Sequence, residues 1–120
     1  MTAPGHRHER IAEEIHHELA VMVSGELADP RISEMATVTE VRVTPDLKQA
    51  KVYVSVMGTE EERKSTMAGL AAAAGFIRGQ LMQRLGLRRS PDLHFVLDRS
   101  AEYSERIESL LREMKKPQDS

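Results

Sequence analysis

The 120-residue chain contains no cysteine. A disulfide scaffold and thiolate metal sites are therefore excluded, in keeping with a reducing cytoplasm. Aromatic side chains number four: Tyr53, Phe76, Phe95 and Tyr103. That is too few for a surface on which successive bases stack. No apolar run approaches the roughly 20 residues needed to cross a bilayer. The opening "MTAPGHRHER" has no apolar signal core, so neither membrane insertion nor secretion is expected. There is no G-x-S-x-G elbow, no P-loop and no HExxH. His6 and His8 lie in an expected frayed end, and the adjacent His16 and His17 point about 100° apart on a helix. Glu13, Glu14 and Glu18 read as a solvated helix face. No nucleophile, base and orienting group come together. The expectation is a protein that is not an enzyme, with no metal, cofactor or small-molecule substrate.

What is present is segregated charge. The formal net charge is -2, yet Arg63 to Pro91 contains no Asp or Glu. That interval holds Arg63, Lys64, Arg78, Arg84, Arg88 and Arg89, a formal +6, so the remainder carries -8 against the total of -2. Such asymmetry marks a polyanion-binding face on an acidic body.

The length fits one domain, placed at 7–114, with disordered ends at 1–6 and 115–120. Ile11, Ile15, Leu19, Met22 and Val23 recur at helical steps, which predicts an amphipathic helix from about Arg7 to Leu27. Asp29-Pro30-Arg31 ends it. "TVTEVRVTP" and "AKVYVSVMG" alternate as strands around the turn residues Thr44 to Lys48. Val38 is out of phase, which permits a bulge. Thr59 suits an N-cap, with Glu60, Glu61 and Glu62 at the positive end of the helix dipole. The helical pattern then runs to about Leu85, with Gly86 as its cap. "PDLHFVLD" reads as a third strand, and a last helix from Ser100 runs through Tyr103, Ile107, Leu110, Leu111 and Met114. The fold class is α+β, in the order α-β-β-α-(kink)-α-β-α, with a three-stranded mixed sheet packed against helices.

The kink is expected at Gly75, within "AAAAGFIRG". Glycine costs about 1 kcal/mol against alanine in a helix, and a break there would start a new helix with unpaired amides. Those amides would form a phosphate site at a positive dipole end, reached closely because side chains are lacking. Arg78, Arg84, Arg88 and Arg89 would supply countercharge. The competing expectation is packing: Ala71, Gly75 and Gly79 share one stripe that would let another element approach. Phe76 is expected on the packing face.

In this order and spacing, several stretches carry a resemblance. They are "DPRI" from Asp29, "TVTEVRVTPDLKQAKVYVSVMG" from Thr37, "AAGFIRGQL" from Ala73, "LRRSPDLHFVLDRS" from Leu87 and "RIESLL" from Arg106. The chain resembles the bacterial ribosome-binding factor A family from about His8 to Met114. The resemblance implies a single type II KH-like domain in which Ala73-Ala74-Gly75 forms the kink in place of G-x-x-G. It implies a cytoplasmic, non-enzymatic factor that binds free 30S subunits through 16S rRNA; nothing in the sequence demands a dimer, and a monomer is expected. Such a factor assists late maturation of that RNA, including its 5′ region, and supports growth in the cold. The first helix here is acid-rich, so the expected RNA-binding residues are Ala73, Ala74, Gly75, Arg78, Arg84, Arg88 and Arg89. A protein-binding adaptor, using the first helix or a sheet edge, is the alternative.

Overall fold

A computed structural model describes residues 6–115. Most of the expected frayed ends lies outside the described residues; His6 opens the first helix and Lys115 closes the last. The elements run α1 (His6–Val21), a wide π turn (Met22–Glu26), β1 (Ala36–Val43), β2 (Gln49–Val56), α2 (Glu60–Leu85), β3 (Asp92–Leu97) and α3 (Ser100–Lys115).

Local chemistry accounts for most boundaries. Helical backbone stops at Gly25, a little before the expected end of α1. Downstream, Asp29 Oδ1 accepts from the Arg31 amide at 2.9 Å and shapes the loop. Thr44 and Asp46 close the β1–β2 turn, with Asp46 Oδ1 accepting from the Lys48 amide at 3.0 Å. The Thr59 hydroxyl accepts from the Glu62 amide at 3.1 Å, and the Glu62 carboxylate accepts from the Thr59 amide at 2.9 Å. This is the reciprocal cap that the Thr-x-x-Glu spacing calls for. Gly86 ends α2 in the left-handed region, at φ 64°, where glycine alone carries no Cβ penalty. At α3 the cap is Asp98: its Oδ1 accepts from the Ser100 amide at 2.9 Å.

The sheet order is β1-β2-β3. β1 pairs antiparallel with β2, and the register slips between Val38 and Glu40, where the broken alternation permits a bulge. β3 lies parallel to β2. One face is apolar: Val38, Val41, Val43, Ala50, Val52, Val54 and Val56 are buried there. They join Ile11, Ile15, Leu19 and Met22 from the first helical segment and Leu70, Ile77 and Leu81 from α2 in a single core. The result is two helices on one sheet face, an α+β arrangement of KH-like type. Gly69 permits a close approach, since a Cβ there would lie 2.8 Å from Ile32 Cγ1. The neighbouring Thr66 hydroxyl, buried, accepts from the Ser33 amide at 3.0 Å. Together they seat the Arg31–Ser33 loop on α2.

Two expectations fail here. α2 is one helix of 26 residues, continuous through Gly75. One glycine's propensity cost is about 1 kcal/mol, whereas Leu70, Ile77 and Leu81, on either side of it, are all fully buried on the sheet. Their packing holds the axis together, and no proline or inserted group opposes it. Phe76 is 60% exposed rather than packed. It is one residue from Ile77, so it points about 100° away from the buried stripe.

Candidate nucleic-acid interface

The expected surface lies on the outer side of α2 and on the loop that follows. Ala71, Ala72, Gly75 and Phe76 are exposed, while Ala73 and Ala74 are half-buried. A Cβ at Gly75 or Gly79 would meet nothing within 4 Å. Gly75 and Gly79 therefore serve neither a bend nor a close helix approach; with Ala71 and Ala72 they leave a strip of small residues facing solvent, whereas Ala73 packs against the core. The amides of Ala73, Ala74 and Gly75 sit mid-helix, where amides bond to carbonyls four residues back. They cannot also cradle a phosphate, so the cradle of bare amides is absent from this structure.

The cations divide into paired and unpaired groups. Arg63 bonds Glu60 at 3.1 Å and lies 3.5 Å from Glu102. Arg84 reaches back to α1, 3.3 Å from Glu18, and also pairs with Glu26. These carboxylates, Glu26 first, raise its pKa, and the cluster ties the end of α2 to the first helical segment. Arg84 thus works as a fastener. Arg78 lies 3.3 Å from Asp92. Both of those side chains are substantially exposed, and such pairs are worth about 0–1 kcal/mol, so a phosphate can compete for Arg78. Arg88 and Arg89 are exposed, with no acidic partner among the described residues. They stand where α2 ends and the chain turns into β3.

Elsewhere, the His16 ring Nε2 lies 3.0 Å from the Val38 carbonyl oxygen, which fixes α1 against β1. Among the described residues no group of three or more His, Cys, Asp or Glu is placed to hold a metal ion. No described helix is long and apolar enough to cross a membrane.

Helices on one face of a three-stranded mixed sheet, with cations where α2 runs into β3, define a KH-like protein whose basic surface suits a polyanion. The ribosome-binding factor A family model matches residues 7–111, and the chain belongs to that family. It is 50% identical over 107 residues to ribosome-binding factor A of Acetivibrio thermocellus, covering 89% of this chain and 87% of that one. To its counterpart in Caldanaerobacter subterraneus it is 43% identical over 111 residues, covering 92% and 91%. The crystal structure of the Thermus thermophilus factor superposes with a TM-score of 0.66 at 27% identity, covering 75% of this chain and 93% of that one. A homology model of the Thermus thermophilus factor, fitted into a cryo-EM map of a 30S complex, gives a TM-score of 0.63 at 29% identity, covering 75% and 93%.

Proposed function

We propose that this chain binds the free 30S ribosomal subunit through 16S rRNA in the cytoplasm. It acts there as a monomer, without catalysis. It assists late maturation of the RNA, including processing of its 5′ region, and supports growth in the cold. The observation that carries this reading is the exposed Arg88–Arg89 pair, free of acidic partners among the described residues, beside the bare strip of α2 in a chain of this family. The strip of Ala71, Ala72 and Gly75, with Ala74 at its margin, lets an RNA backbone approach beside the exposed Phe76, while Ala73 packs toward the core beneath it. Arg78, Arg88 and Arg89 hold the phosphates, and Arg84 keeps the platform in place. Phosphate binding of this kind gives affinity and salt dependence without reading bases, so selectivity comes from the shape of folded RNA.

The test is sedimentation with purified 30S, 50S and 70S particles over a KCl series. Wild type pellets with 30S. Arg88→Glu combined with Arg89→Glu weakens that binding at least tenfold and flattens the salt dependence by roughly one unit of slope for each phosphate no longer held. Unchanged affinity in a folded double variant overturns the reading.

A second reading, a protein-binding adaptor, cannot use the apolar face of the first helix, since Ile11, Ile15 and Leu19 are buried in the core, and draws instead on α3. Its Tyr103, Ile107, Leu110, Leu111 and Met114 form an exposed apolar face. It calls for partner binding that salt leaves unchanged.

A further inference from the structure

The second face of the sheet carries a row of residues that no continuous stretch of sequence contains. Arg42 of β1 stands opposite Lys51 of β2. Lys51 in turn stands beside His94 of β3. All three are exposed; Arg42 and Lys51 alternate with buried residues of β1 and β2, and His94 sits between the half-buried Leu93 and Phe95. Strands lie about 4.8 Å apart, so the row spans about 10 Å. It borders a depression of about 450 Å3, also lined by Thr44 and Gln49.

Like charges directly opposite on an antiparallel pair repel, so Arg42 against Lys51 works against folding. Glu40 pairs with Arg42 through Nε and offsets part of this repulsion, yet both terminal guanidinium nitrogens remain as donors for another acceptor. Asp92 pairs with Arg78. Lys51 has no acidic partner among the described residues. Arg42 is also held over the Tyr53 ring, 5.7 Å from its centroid, so its position is set in advance. His94 Nε2 lies 2.5 Å from Gln49 Oε1, which fixes the ring at the other end of the row.

The row lies at the end of the sheet reached by the Arg88–Arg89 loop. That loop runs directly into Asp92, whose amide donates to the Lys48 carbonyl at 2.8 Å. Cations therefore continue from the end of α2, past the β1–β2 turn, onto the open sheet face.

We propose that Arg42 and Lys51, flanked by His94, form a phosphate-binding site that takes the sugar–phosphate backbone of RNA on the uncovered sheet face. This rests on the rRNA-binding reading above and extends it to a second face.

Lys51→Gln is the test, with purified 30S subunits sedimented over a KCl series. Binding is expected to weaken three- to tenfold, and the slope of log affinity against log salt to shrink by about 0.7–0.9 for each phosphate no longer neutralised. Lys51→Arg should restore both. The thermal midpoint of Lys51→Gln should equal or exceed wild type, since a repulsion is removed. Wild-type affinity and slope in both Lys51→Gln and Arg42→Gln overturn the proposal. If the Arg88→Glu, Arg89→Glu variant is weakened in that same experiment, the rRNA reading survives alone; if wild type itself fails to bind 30S, both readings fall. Loss of binding to phosphatidylglycerol vesicles by Lys51→Gln, with 30S affinity unchanged, assigns the row to a lipid surface and also overturns it.

Discussion

Helices α2 and α3 both carry apolar residues at helical spacing, and they meet opposite fates. α2 buries Leu70, Ile77 and Leu81 completely against the sheet. α3 buries nothing: Tyr103 is 66% exposed, Leu110 52% and Met114 79%. By sequence pattern α3 is the cleaner amphipathic helix of the two. What separates them is topology. α2 connects two parallel strands and must return over the sheet, as such crossovers do. α3 follows the last strand and has no strand to return to. It is attached through charge: Arg99 bonds Glu60 at 2.6 and 2.8 Å, and Arg63 lies 3.5 Å from Glu102. An apolar stripe thus shows what a helix can bury, and the connections around it decide whether it does.

The contrast can be broken most forcefully in the core. Ile77→Ala should cost about 3 kcal/mol of unfolding free energy. Leu110→Ala on α3 should stay within about 0.5 kcal/mol. Urea denaturation of the two variants checks this, and equal costs would mean that α3 has a buried partner.

Next come two glycines of α2. Gly69→Ala drives a Cβ toward Ile32 and should destabilise by about 1 kcal/mol or more, even after the gain in helix propensity. Gly75→Ala meets empty space in a continuous helix and should stabilise by about 1 kcal/mol. Thermal melts of both should move in opposite directions. A loss of stability in Gly75→Ala would restore the kink.

The smallest effect concerns acid. Arg99, hydrogen-bonded to Glu60, draws the Glu60 carboxyl from its ordinary 4.5 down to about 2. A carboxylate lowered on folding stabilises above its ordinary value, and that contribution is lost as pH falls through the folded one. Between about pH 4.5 and 2, α3 should therefore loosen before α1 and α2. Amide exchange in that window would show it, and uniform protection loss would refute it.

Much of this architecture is legible in the sequence because its signals are local. The Thr59–Glu62 cap, the Thr44–Lys48 turn, Gly86 and the bulge near Val38 are each set by a few neighbouring residues. What sequence does not reveal depends on distant partners. Gly75 reads as a hinge because propensity is visible in sequence, while the packing that outweighs it is not. The close approach at Gly69 requires Ile32, far back in the chain. The basic stretch overstates its free charge, since the acids that answer Arg78 and Arg84 come from β3 and from the first helical segment. The Arg42–Lys51–His94 row exists only once strand register is known, and His94 joins it through a parallel pairing that no hairpin rule supplies.

The anchorage of α3 has a mechanical consequence. A force applied near Met114 acts on a long arm, whereas resistance sits in a few guanidinium–carboxylate bonds beside Asp98. Ions in solution weaken those bonds, while heat must first dissolve the valine and leucine interior. The arm therefore answers to ionic strength, and the body answers to temperature.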